Sequence, residues 1–208
     1  MGILEPELKL ERSPSEDPFI AAHTAQHCIT FDELRVCGSA TQETLRRGDY
    51  LFRSGELSHY LYFIAEGLIE KSLTTHEGRR VYGYRVAGDM LGLDALGDTI
   101  HKLDARALCS TVVWRISRHA LQVACAKTPS LRERLTLAKA AETRRLRCWE
   151  CAAGALDDEQ RVAVFLRDMR LRSPDKPFDK KVLRRNRFEI ARWLNVDPGR
   201  LCRQLAAP

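Results

Sequence analysis

Between Leu45 and Ser117 the chain is punctuated by turn formers, at Gly48-Asp49, Gly55, Gly67, Glu77-Gly78, Gly88-Asp89 and Gly97-Asp98. A break roughly every ten residues leaves no room for helices of ordinary length. The runs between the breaks are rich in β-branched and aromatic residues, so the segment predicts a β-sandwich or barrel. Leu61 to Ile64 and Leu68 to Leu73 flank Gly67 as two strands. Val81 to Val86 alternates, and Ala105, Ala107, Cys109, Thr111 and Val113 share one face of a further strand.

After Pro129 the pattern becomes helical, with no proline until Pro174. Leu131, Leu135, Ala138, Leu146, Trp149, Ala153 and Leu156 recur mostly at spacings of three and four, a narrow apolar seam opposite Arg132, Arg134, Lys139, Arg144, Arg145 and Arg147. So long a seam suits pairing with a second copy of the chain; packing on the chain's own barrel is the alternative. A second helix is expected from Asp157 to about Leu171, with Val162, Phe165, Leu166 and Met169 on one side, ending in the loop Ser173-Pro174-Asp175-Lys176-Pro177. Arg187 to Leu194, a turn at Asn195-Val196, and a helix opened by Asp197 as N-cap and Pro198 at its first position then read as a helix-turn-helix. Residues 1–20, rich in Glu, Pro and Ser, read as a flexible arm. The expected organisation is thus an arm (1–20), a β-roll (21–128), a dimerisation helix (129–156) and a helix-turn-helix unit (157–208).

Charge is uneven along these parts. Residues 161–208 hold 13 Lys and Arg against 5 Asp and Glu, whereas residues 1–160 hold 21 against 23. A basic module on a nearly neutral body points to a polyanion partner, with a solvated basic face as the plain alternative. No apolar run is long enough to span a membrane, and the start of the chain has neither the basic nor the apolar region of a signal peptide, so the expected location is cytoplasmic. Seven cysteines without a regular framework read mostly as reduced thiols or metal ligands. No nucleophilic triad, metal-hydrolase or phosphate-loop spacing is present, which argues against an enzyme.

From about Leu45 to Leu205 the chain resembles the Crp/Fnr family of bacterial transcription regulators. The resemblance rests on Arg47-Gly48-Asp49-Tyr50-Leu51-Phe52-Arg53-Ser54-Gly55, on Val86-Ala87-Gly88-Asp89-Met90-Leu91-Gly92-Leu93-Asp94-Ala95-Leu96-Gly97, and on Glu159-Gln160-Arg161-Val162-Ala163-Val164-Phe165-Leu166, in that order. It implies an α+β architecture: a cyclic-nucleotide-binding-type β-roll of jelly-roll form, a long dimerisation helix and a C-terminal winged helix-turn-helix. It further implies a homodimer on a near-palindromic DNA site, read in the major groove, with RNA polymerase as a further partner.

Within the family the chain is nearer the oxygen-sensing Fnr branch. The cyclic-AMP receptors carry a Gly-Glu-Leu segment and an Arg-Ser pair, whose Glu and Arg hold the ribose hydroxyl and the phosphate. Here those places read Gly92-Leu93-Asp94-Ala95-Leu96 and His101-Lys102, which argues against cyclic AMP and leaves Lys102 or Arg106 to offer an anion a charge. Fnr-type sensors hold a [4Fe-4S] cluster on three N-terminal cysteines and a fourth in the roll. Cys28 and Cys37 match the outer two in spacing, but the middle place falls on Phe31 and the fourth on Trp114, with Cys109 five residues earlier. The metal candidates are therefore Cys28, Cys37 and Cys109, beside His23 and His27, in an incomplete iron–sulfur pattern. In a second register Phe31 to Cys37 is simply the first helix leading into the roll. Cys148 and Cys151 read as small apolar residues beside the seam, with an interchain disulfide as the alternative.

The base-reading places carried over from the family fall on Gly199, Cys202 and Arg203, of which Arg203 keeps a side chain able to fork onto guanine. Arg200 and Gln204 are further candidates for base or phosphate contact, and Arg187 and Arg192 for phosphate positioning. The resemblance also implies a β-hairpin wing after this helix, for which nothing follows Ala206-Ala207-Pro208. Without it, the expectation is a helix with Leu201 and Leu205 loosened and DNA binding that is weak and poorly discriminating. The leading reading is a DNA-binding regulator whose effector is unknown; the alternative is a sensory or interaction module that has lost specific DNA binding.

Overall fold

The computed structural model describes residues 29, 31–36, 40–97, 99–173 and 179–206. The arm expected over residues 1–20 and the candidate ligands Cys28 and Cys37 lie outside them. A short helix α1 (Phe31–Val36) precedes eight strands, β1 (Thr41–Leu45), β2 (Tyr50–Phe52), β3 (Tyr60–Glu66), β4 (Leu68–Thr75), β5 (Gly78–Val86), β6 (Met90–Leu91), β7 (Asp104–Ala107) and β8 (Thr111–Ser117). They form two antiparallel four-stranded sheets in the orders β1-β8-β3-β6 and β2-β7-β4-β5. Gly67 makes the β3–β4 hairpin with φ of 106°; a Cβ there would stand 2.3 Å from Thr111 Oγ1, so only glycine fits. The strand expected across Ala105 to Val113 is in fact two, β7 and β8, in different sheets. Its inward alternation survives, because the chain changes sheets while Ala105, Ala107, Thr111 and Val113 still face the interior, all fully buried.

Six helices follow: α2 (Arg118–Lys127), α3 (Pro129–Ala155), α4 (Asp158–Arg172), α5 (Lys180–Arg185), α6 (Arg187–Leu194) and α7 (Pro198–Ala206). Thr128 leaves helical conformation ahead of Pro129, whose ring disfavours it there, which separates α2 from α3. Asp157 caps α4 through a reciprocal pair with Gln160, satisfying two free amides of its first turn.

The long helix α3 corrects the expected seam. Leu131, Leu135 and Ala138 are buried against Leu61, Met90, Leu93, Ile116 and Leu121 of the chain's own roll and α2. Burying each leucine there is worth about 2 kcal/mol, and Leu135 and Ala138 are not available to a second copy. Farther along, Leu146 and Leu156 are half-buried, Ala153 is exposed, and Trp149 meets Trp193 of α6 at 5.0 Å between ring centroids. The outward face consists instead of Leu137, 46% exposed, with Ala140, Arg144, Arg147 and Cys151, again at spacings of three and four. Amphipathicity identifies a covered face, but not which neighbour covers it.

Candidate nucleic-acid interface and ligand positions

Helices α6 and α7 meet at Asn195, the one non-glycine among the described residues with positive φ (54°). Val196 N–H donates to Ala191 C=O at 2.9 Å, which closes the tight turn. Asp197 then caps α7 by accepting from Arg200 N–H at 2.9 Å. Leu201 and Leu205 are fully buried beside Val162, Leu183, Ile190 and Leu194, and Arg184 donates to Leu205 C=O at 3.2 Å. The expectation of a loosened reading helix is thereby corrected: α4, α5 and α6 cover its apolar face and Arg184 ties its last turn.

The candidate contact residues of this unit fall into two groups. Arg203 and Arg192 are exposed, and Arg203 lies over Gly199, whose missing side chain leaves the guanidinium room. Arg200 and Gln204 instead turn back toward α4, at 3.8 Å from Asp158 and by a 3.2 Å bond from Gln204 Nε2 to Glu159 C=O. Arg187 donates to Arg184 C=O and sits 4.3 Å above the ring of Phe188, itself 62% exposed.

This unit is joined to the roll by a continuous apolar layer and buried charge. Leu68, Tyr84, Val86 and Leu108 of the roll pack in one cluster with Phe165, Met169 and Ile190. A Cβ on Gly88 would lie 2.8 Å from Arg172 C=O, so the Gly88-Asp89 turn can approach the end of α4 only as glycine. Arg172, 3% exposed, binds Asp89 of that turn, Asp168 of its own helix at 2.9 Å, and Tyr84 C=O at 3.1 Å. Burial disfavours its charge, but Asp168 and Asp89 more than offset this and raise its pKa. Glu189 of α6 accepts from Arg106 of β7 at 3.0 Å, and Arg47 reaches Asn186 at 3.4 Å. Beside this joint a cleft of about 740 Å³ is lined by Arg79, Arg80, Tyr82, Trp149, Arg192 and Trp193, among others.

Inside the roll, the residues expected to face an anion are elsewhere. Lys102 is exposed, and Arg106 is engaged by Glu70 and Glu189 on the side facing α6. His101 is buried and stacked on Phe52 at 3.7 Å; burial lowers its pKa, which favours the neutral ring. The cations that do face inward toward α3 are Lys71 and Arg85, each 2% exposed. Both bind Glu142 of α3, and Lys71 also lies 3.5 Å from Asp94. Sequence reasoning missed them; the available signal was a charge at a position inside an otherwise buried strand.

Residues 42–128 match the cyclic nucleotide-binding domain family. The fumarate and nitrate reduction regulatory protein of Escherichia coli (strain K12) is 26% identical over 167 residues, covering 79% of this chain and 67% of that one; its counterpart in Salmonella typhi gives the same figures. Among solved structures, FixK2 from Bradyrhizobium japonicum superposes with a TM-score of 0.67 at 22% identity, over 81% of this chain and 84% of that chain. A CRP-family transcriptional regulator from Thermus thermophilus gives 0.56 at 21%, over 79% and 82%. The matched domain and these relatives support a Crp/Fnr-type regulator, nearer the Fnr branch.

The Fnr-type relatives invite comparison with a thiolate-held cluster. Phe31 and Trp114, at two of the four expected ligand places, instead meet ring to ring at 5.0 Å, with Phe63 at 5.4 Å from Phe31. Cys109 lies apart from them, in the apolar layer between the roll and the helix-turn-helix, with Thr111 Oγ1 at 3.9 Å from its sulfur. The described side chains therefore do not fit a four-cysteine cluster, and no group of three potential metal ligands occurs among the described residues. Cys148 is half-buried and Cys151 exposed on α3.

Proposed function

We propose that this Crp/Fnr regulator acts in the cytoplasm as a homodimer that reads DNA through α7, with residues 21–128 as sensor, 129–156 as dimerisation helix and 157–208 as DNA-binding unit. The observation that carries the reading is Arg203: exposed on a helix whose opposite face, Leu201 and Leu205, is fully buried. Base contacts discriminate only from a helix held in register, and this one is held. Arg203 reads guanine, Arg192 and Arg187 position phosphates, and Arg200 and Gln204 contribute once released from α4. Two copies pair through Leu137, Ala140, Arg144, Arg147 and Cys151 of the long helix. The effector is not cyclic AMP, since Glu142 already holds the inward cations, and the chain acts by binding DNA and RNA polymerase rather than by catalysis.

The test is selection from random duplexes at physiological salt, followed by mobility shifts with Arg203→Ala and Arg192→Ala. A two-fold-symmetric site is expected. Arg203→Ala should weaken it by about ten- to a hundredfold and flatten discrimination at one base pair, while Arg192→Ala weakens all duplexes alike and reduces the salt slope by about one. Equal, sequence-independent losses in both variants would defeat the assignment.

A further inference from the structure

The seam of α3 that faces the roll runs through Leu131, Leu135 and Ala138 and then meets Glu142 and Arg145, both buried. A carboxylate in an apolar seam is costly unless charge meets it. Here the charge comes from distant strands. Lys71 Nζ of β4 donates to Glu142 Oε1 at 3.1 Å, and Arg85 Nη2 of β5 donates to the same oxygen at 2.6 Å. Burial alone would raise the Glu142 pKa, but Lys71, Arg85 and Arg145 hold it far below the usual carboxylate range. Without this carboxylate, Lys71 would keep Asp94 at 3.5 Å and Arg85 the carbonyl of Tyr84 at 3.1 Å. Two cations away from water would then share one carboxylate.

We propose that Lys71 and Arg85 form an anion-binding site in the roll, specific for a carboxylate, which Glu142 of the long helix occupies as a tethered ligand. The apolar seam alone would tolerate sliding or rotation of the helix against the roll. A buried ion pair at one seam position fixes one register, because any other strands both cations. The tether gives Glu142 a high effective concentration, so the intact protein takes up no free carboxylate at ordinary concentrations. Opening of the helix from the roll exposes a site for one.

The experiment uses Glu142→Ala in the full chain, since acetate has the shape of the atoms removed. Thermal unfolding is followed with acetate, with chloride at equal ionic strength, and with the neutral isostere acetamide. Glu142→Ala should lower Tm by about 10 °C. Acetate on the order of 100 mM should restore a saturable part of the loss, and acetamide and chloride none. The rescue should vanish in Lys71→Met/Glu142→Ala, and the parent should not respond. Acetate and acetamide acting alike, or a Glu142→Ala protein as stable as the parent, would overturn the proposal. If Glu142→Ala does not accumulate folded, Glu142→Gln keeps the shape without the charge: a loss comparable to that expected for alanine, with no acetate response, supports the site, and a Tm equal to that of the parent refutes it.

Discussion

Replacing Arg172 by methionine removes the charge that joins the roll to α4 while keeping most of the side chain's volume. Arg172, Asp89 and Asp168 are 3%, 1% and 4% exposed in their side chains, so solvent screening does not weaken the argument. At the 2.9 Å separation from Asp168, Coulomb attraction at an effective dielectric of about 20 amounts to roughly 6 kcal/mol before desolvation. Removing one partner of such a group typically costs about 3–5 kcal/mol, chiefly because buried carboxylates are left without a counter-charge. For a chain of this size that corresponds to a Tm lower by about 6–20 °C in scanning calorimetry at pH 7. The penalty is assigned to stranded carboxylates rather than lost packing, and Asp168→Asn tests this. In the parent it should destabilise; in the Arg172→Met background it should recover part of the loss. Equal costs of Asp168→Asn in both backgrounds, within about 0.5 kcal/mol, would refute the reasoning.

Four further outcomes follow from the same geometry. Leu137→Glu, on the outward face of the long helix, should give monomer in sedimentation at micromolar concentration, whereas the same change at Leu135 should impair folding first. Because Arg144 and Arg147 would approach their own copies, dimer affinity should rise with salt, opposite in sign to DNA affinity; a salt-independent dimer constant would speak against that face. Cyclic AMP should give no binding heat at micromolar concentration, and saturable low-micromolar binding would contradict the occupied Lys71–Arg85 pair. The depressed pKa of Glu142 contributes stability that is present above its unfolded value near pH 4.3 and lost as pH falls toward its folded value. Acid titration of Glu142→Gln should therefore be flatter than the parent's below about pH 4, by up to one proton.

The roll was legible because turn chemistry is local: the glycines that break the sequence between Leu45 and Ser117 sit at positive φ in the turns, Gly67 and Gly88 against neighbours that admit no side chain. The helix-turn-helix was legible for the same reason, through Asp197, Pro198 and the αL-tolerant Asn195. What escaped was long-range. Lys71 and Arg85 meet Glu142 across 71 and 57 residues, and no local pattern announces such a partner. The α3 seam was visible but its neighbour was not, and Leu135 faces the roll rather than a twin. Helix α2 carries one buried residue, Leu121, too few to register as an apolar period. Phe31 and Trp114 could be marked as departures from a cluster pattern, but only the fold shows that they pack on each other.

The two buried charge groups of this protein are not independent, because they meet at one atom. Tyr84 C=O accepts from Arg85 Nη1 at 3.1 Å and from Arg172 Nη1 at 3.1 Å. Through Arg85 this carbonyl is tied to Glu142 and the long helix; through Arg172 it is tied to Asp89, Asp168 and the last turn of α4. The ring of the same residue packs edge-on against Phe165 and Trp193, and Trp193 in turn against Trp149 of the long helix. Successive strand residues point to opposite faces, so β5 presents Arg85 toward the long helix and Tyr84 toward α4 and α6 from adjacent positions. The long helix at Glu142 and α4 at Arg172 are therefore held by adjacent residues of one strand, β5. A direct chain of contacts from the roll–helix joint to α4 and α6 thus passes through Tyr84, which the sequence marks only as one aromatic residue in an alternating strand.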